Sequence, residues 1–177
     1  MNPIAVSRRH NPRASALTAM ALLAVLLIPA GHGRANEANG TIEARNEAIV
    51  REAFDKWRSG GNVFAELLSP DLVWTIHGSG PVAGTYRGIK DFVERAAAPV
   101  VSRLATPLVP NVHHIWSSGD RIIIRFDASA TTTSGAPYSN QFVWIFRMDK
   151  GAVVEAEAFL DLAAYQRVVD NNEPRRP

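Results

Sequence analysis

Residues 140–162, NQFVWIFRMDKGAVVEAEAFLDL, hold two apolar runs with a charged turn between them. The first run, 142–148, is aromatic and β-branched, which suits a pleated, half-buried surface. Asp149-Lys150-Gly151 reads as a tight turn, with Gly151 free to take positive φ. The second run, 152–160, returns as the partner strand. The stretch is a long β-hairpin, and the remaining chain must pack against it.

Outward from the hairpin, residues 108–117 and 121–131 read as two more strands, joined by Gly119-Asp120. Ser134-Gly135 turns the second of them into the hairpin. Upstream the period lengthens to that of helices. In 88–104, Ile89, Phe92, Val93, Ala96, Ala97, Val100, Val101 and Leu104 form one apolar face, with Pro99 set to kink or end the helix. Residues 41–58 predict a first helix, with Ile42, Ile49, Phe54 and Trp57 on one side, Thr41 as N-cap and Gly60-Gly61 as the stop. Residues 62–68 predict a short second helix capped by Asn62, and 71–77 a short strand. Residues 78–84 read as a glycine-rich loop, and 161–169 as a last helix opened by Asp161. Helices come first and an antiparallel meander last, so the class is α+β.

Residues 1–35 read as an address. Arg8, Arg9 and Arg13 precede an uncharged, mainly apolar run over 14–30, and Gly33-Arg34-Ala35 offers a cleavage site after Ala35. This is the pattern of a secretory signal peptide, with a membrane anchor as the alternative. Of the 19 basic residues, four (Arg8, Arg9, Arg13, Arg34) lie in this segment and none of the 17 acids does. The chain's net charge of +2 therefore becomes −2 after cleavage, which gives no reason to expect nucleic acid as a partner. There is no cysteine, so export brings no disulfide and the core alone must hold the fold. Residues 36–170 make one domain of ordinary size, and the polar 171–177 reads as a disordered tail.

This element order, with GSGPVAGTYRG before the third helix and RMDKGAVVEAEAFLD in the final hairpin, resembles the SnoaL-like group of the NTF2-like superfamily. That superfamily includes ketosteroid-isomerase-like and limonene-epoxide-hydrolase-like proteins. The resemblance covers about residues 43–169. It implies a cone in which a curved, mainly antiparallel sheet wraps three N-terminal helices, with a pocket between them. It also implies a homodimer through the outer sheet face. Such a fold hosts enzymes, binders and scaffolds, so function rests on the site.

The family's chemistries map unevenly onto these residues. Steroid isomerisation needs a carboxylate base, a phenol and a protonated acid. Those positions fall at Thr75 or Ile76, near Ala53 and near Trp144, and no Asp or Glu lies between Asp71 and Asp91, so that mechanism is rejected. The epoxide-hydrolase pair is matched by Arg125 and Asp127, whereas its water-activating positions fall at Ala158, Trp74 and Ile76. Plain alternation of Ile122, Ile124 and Phe126 with Arg125 and Asp127 exposes the charged pair, whereas the resemblance turns it into the cone. Asp161 is an N-cap or an acid, and Glu155 and Glu157 read as a solvated edge. His77 is a loop histidine or a general base at the pocket rim. His113 and His114, being adjacent, should face opposite sides of their strand, a poor geometry for one metal.

Trp57, Trp74, Phe142, Trp144, Phe146 and Phe159 sit on the elements that would enclose the cavity, with Ile76 beside them. They are core, or they wall an apolar pocket in which Tyr86 and Asn140 orient a small hydrophobic ligand. The expectation is an exported protein that binds a small hydrophobic molecule; if it is an enzyme, the chemistry is the cofactor-free acid–base chemistry of an isomerase, cyclase, lyase or hydrolase. Asp127 and Arg125 would be its charge centre and His77 its proton relay. The competing reading is a non-catalytic ligand-binding or dimeric interaction module, with no membrane contact after cleavage.

Overall fold

A computed structural model describes residues 31–176, with side chains from residue 40. The leader expected over 1–35 lies outside the described residues except for its last five, which belong to the first helix.

That helix, α1 (Gly31–Arg58), starts ten residues before the predicted Thr41 cap. Once a turn is nucleated, each further residue adds a backbone hydrogen bond, so a side chain able to cap need not be the end. Lys56 and the turn at Gly60 close it, with Gly60 N–H donating to the Trp57 carbonyl at 2.9 Å. α2 (Val63–Leu67) is capped as predicted: the Asn62 side chain accepts from the Phe64 and Ala65 amides. β1 (Leu68–Ile76) then begins before Pro70. β2 (Gly84–Arg87) starts at the last residue of the expected loop, fills the gap before the next helix and pairs antiparallel with β1, Trp74 opposite Tyr86. Only Tyr86 of its four residues is buried, so no alternation announces it.

α3 spans 89–101 in three consecutive segments, Ile89–Phe92, Val93–Ala97 and Ala98–Val101, the middle one a π-turn. Ala98 N–H reaches the Val93 carbonyl across the widened turn. Pro99 has no N–H and in a regular helix would crowd the carbonyl of Arg95, so the extra residue per turn is the accommodation. β3 (Val109–Ser118), β4 (Arg121–Thr131), β5 (Pro137–Asp149) and β6 (Ala152–Leu160) form the expected antiparallel meander. β6 also pairs in parallel with β1, giving one six-stranded sheet in the order β2-β1-β6-β5-β4-β3. α4 (Leu162–Asn171) closes the chain, with Asp161 as N-cap accepting from Ala164 N–H at 2.9 Å.

The helices pack on one face of this curved sheet. Glu43 of α1 accepts from the Gly119 amide of the β3–β4 turn, and Ser117 donates to Glu47. Gly78, at φ +118°, lets the β1–β2 loop pass α4: an added Cβ there would stand 2.8 Å from Leu162 Cδ1. The tail expected to be free is tied down. Arg103 Nε donates to the Asn172 carbonyl at 2.8 Å, Thr133 to the Glu173 carbonyl at 2.7 Å, and Arg175 N–H to the Ser102 carbonyl at 2.7 Å.

Candidate functional site

The inner face of the sheet is filled by the protein's own rings. Along β5, alternate residues point inward: Tyr138, Asn140, Phe142, Trp144, Phe146 and Met148 are all buried. Trp144 is the hub, with ring contacts to Phe54, Trp57, Phe64, Trp74, Phe126, Phe142 and Phe146. Trp74 stacks on Phe92 at 4.1 Å, and Trp57 lies parallel to Trp144 at 6.0 Å. Burial of each such side chain contributes about 1.5–3 kcal/mol, so this cluster accounts for much of the fold's stability. Ile76 is buried beside it, and Trp57 is its half-buried member. Trp74, 1% exposed, carries the one buried polar side-chain atom without a hydrogen bond among the described residues, its indole Nε1.

The polar groups nominated for this interior are elsewhere or engaged. Ile122, Ile124 and Phe126 are fully buried, which turns Arg125 and Asp127 to the opposite, outer face. The sheet follows simple alternation; it does not follow the inward orientation that the family resemblance implies. On that face Arg125 Nη1 donates to Asp127 Oδ1 at 2.5 Å, and His113 Nε2 lies 2.9 Å from Asp127 Oδ2. These two bonds, the Arg125 one foremost, hold the Asp127 carboxyl below the usual carboxylate range. A bulge between Val112 and His114 explains His113: two residues oppose one, so His113 and His114 both face outward, against the expectation of opposite faces. His77 is also outer, 2.9 Å from Glu157 and stacked on Phe159 at 4.6 Å.

Phe159, expected to wall the cavity, is 42% exposed, because Ala156 and Ala158 take the inward positions of β6. Glu155 and Glu157 are no edge: β6 lies between β5 and β1, and Glu155 accepts from Arg147 at 2.6 Å. Asn140 is saturated. Its amide donates to Tyr138 Oη and the Asp161 carbonyl, and its carbonyl oxygen accepts from the Gln141 and Asp161 amides, which ties β5 to the start of α4. Tyr86 donates to the Val82 carbonyl at 2.7 Å and Tyr165 to that of Ala96 at 2.9 Å. Burial pushes all three tyrosine hydroxyls, Tyr86, Tyr138 and Tyr165, above the ordinary phenol range, so they stay neutral.

The outer face reads in rows across the strands. His114, Arg125, Val143 and Phe159 form one, and Trp116, Ile123, Ile145, Glu157 and Thr75 the next. Trp116 (51% exposed) and the half-buried Ile123, Val143 and Ile145 make an apolar strip. Its borders are the Arg147–Glu155, His77–Glu157 and Arg125–Asp127 pairs. Trp116 escaped the sequence reading, although an aromatic two residues beyond His114 on an edge strand is the signal that would have found it. Among the described residues no cluster of three or more His, Asp or Glu side chains is placed to hold a metal, and no helix is long and apolar enough to cross a membrane.

The chain belongs to the SnoaL-like domain family, whose model matches residues 44–156. Solved structures share the fold. Bal32a from a soil-derived mobile gene cassette is 19% identical, with 72% of this chain and 98% of that one covered and a TM-score of 0.60. A candidate SnoaL-like polyketide cyclase from Jannaschia sp. CCS1 is 20% identical over 75% and 96% of the two chains, with a TM-score of 0.57. An NTF2-like protein of unknown function from Burkholderia pseudomallei K96243 is 26% identical over 71% and 97%, with a TM-score of 0.54. No curated protein matches the sequence.

Proposed function

We propose that the protein is an exported, non-catalytic SnoaL-like binding module that works as a homodimer through the outer face of its sheet. The observation that carries this reading is the placement of its polar groups. Acid–base chemistry in the cone needs a proton donor or acceptor at the substrate. Here Arg125, Asp127 and His77 lie on the far side of the sheet, while Asn140 is held by four internal bonds. The outer face has the anatomy of a contact surface, with an apolar strip inside a polar rim of both signs. A two-fold copy can set acids of one rim against bases of the other. Export is supported by the basic segment and uncharged run at the N-terminus.

Ile145→Asp tests the dimer. The side chain is half-buried on the outer face, opposite Ile123, so a carboxylate there leaves the core intact. Sedimentation should report a dimer for the parent protein and a monomer with an unchanged circular dichroism spectrum for the variant. A parent protein that is monomeric at tens of micromolar overturns the proposal.

One observation favours a second reading, in which the cone takes a small hydrophobic molecule. Trp74 Nε1 is a buried donor among aromatic walls, and a single acceptor atom on an otherwise apolar ligand would satisfy it. Such a ligand would be carried through purification.

A further inference from the structure

We propose that the groove at the end of the outer face, where β5 extends past β6, binds a small zwitterion with an apolar body, of the kind of an aromatic amino acid. The groove follows from unequal strands. β5 begins at Pro137, but its pairing with β6 begins only at Phe142 opposite Leu160, so residues 137–141 have β4 on one side and no strand on the other. β6 leaves the sheet there and turns through Asp161 into α4. The resulting groove, about 660 Å³, is lined by Arg125, Ser139, Gln141, Val143, Phe159 and Asp161 among others.

Its charges are arranged for a molecule that carries both signs. Arg125 uses Nη1 on Asp127, which leaves Nε and Nη2 without a partner among the described residues. Two free N–H groups of a guanidinium are a carboxylate receptor. Asp161 uses Oδ1 to cap α4, and its other oxygen takes no hydrogen bond among the described residues. Asp127 does not compete for an ammonium group, because Arg125 and His113 engage both its oxygens. Phe159, across Val143 from Arg125 and two residues before Asp161, presents an exposed ring backed by the stacked imidazole of His77. A plain anion meets the unpaired charge of Asp161, and a plain cation meets Arg125. A zwitterion satisfies both, and an aromatic body covers Phe159.

The test is calorimetric titration of the purified protein, and of Ile145→Asp so that self-association cannot mask the groove, with phenylalanine, hydrocinnamate and phenethylamine. Phenylalanine should bind, and each single-charge analogue should bind about tenfold more weakly or worse. Arg125→Met and Asp161→Asn should each weaken phenylalanine by a similar factor. Asn caps a helix as well as Asp, so α4 remains in the second variant. Absence of phenylalanine binding to both the protein and Ile145→Asp, binding that neither groove variant weakens, or tighter binding of a single-charge analogue would each overturn the proposal. The dimer itself is read separately, by sedimentation.

Discussion

Asn140 shows at the scale of one residue how a polar group can look like a binding handle and be a structural tie. Its four hydrogen bonds replace the ladder that β6 no longer supplies beyond Leu160. Removing the carboxamide leaves two backbone amides and a carbonyl in partly buried positions, and each unmet group costs about 1–3 kcal/mol when water cannot reach it. Asn140→Ala should therefore lower stability by about 2–3 kcal/mol in urea denaturation; a loss near zero would mean the groove is wet enough to replace those bonds. Nothing in the sequence around Asn140 announces this role, because its partners at Asp161 are twenty-one residues away. The outward direction of Arg125 and Asp127 was legible, because alternation with Ile122, Ile124 and Phe126 states it. That of His113 was not, since a bulge adds one residue without any local signature in the letters.

At the scale of elements the β5–β6 hairpin is the best-specified part of the chain. Lys150 (φ 50°) and Gly151 (φ 87°) are both left-handed, the two-residue turn whose twist matches paired strands. Gly151 takes that geometry freely, whereas Lys150 is strained and is the only non-glycine residue at positive φ among those described. Lys150→Asn should raise stability by about 0.5–1 kcal/mol, read as a higher thermal midpoint; no change would show that the turn relaxes at no cost. The hairpin, the meander and the caps at Asn62 and Asp161 were readable because period and turn chemistry agree there. β2 was not, since four residues with one buried side chain have no period. The start of α1 was not, since Thr41 can cap a helix but here continues one. The π-turn was half legible: Pro99 demanded an irregularity, but its form is decided by packing.

At the scale of the molecule, the same alternation that buries aromatics on β4 and β5 puts charge and a strip of isoleucine, valine and tryptophan on the other face. The fold is that of the family, while the inner face, with Trp144 touching seven other rings, is built as a core. The other face of the sheet leaves Trp116 and Phe159 exposed. On the reading proposed above, the work of this protein is done on its outer face. Native mass spectrometry of the protein purified from its own compartment, without refolding, tests this most directly. Twice the mass of the cleaved chain, with no retained hydrophobic molecule, is the expected result. A single-chain mass that carries a bound hydrophobic compound would contradict it.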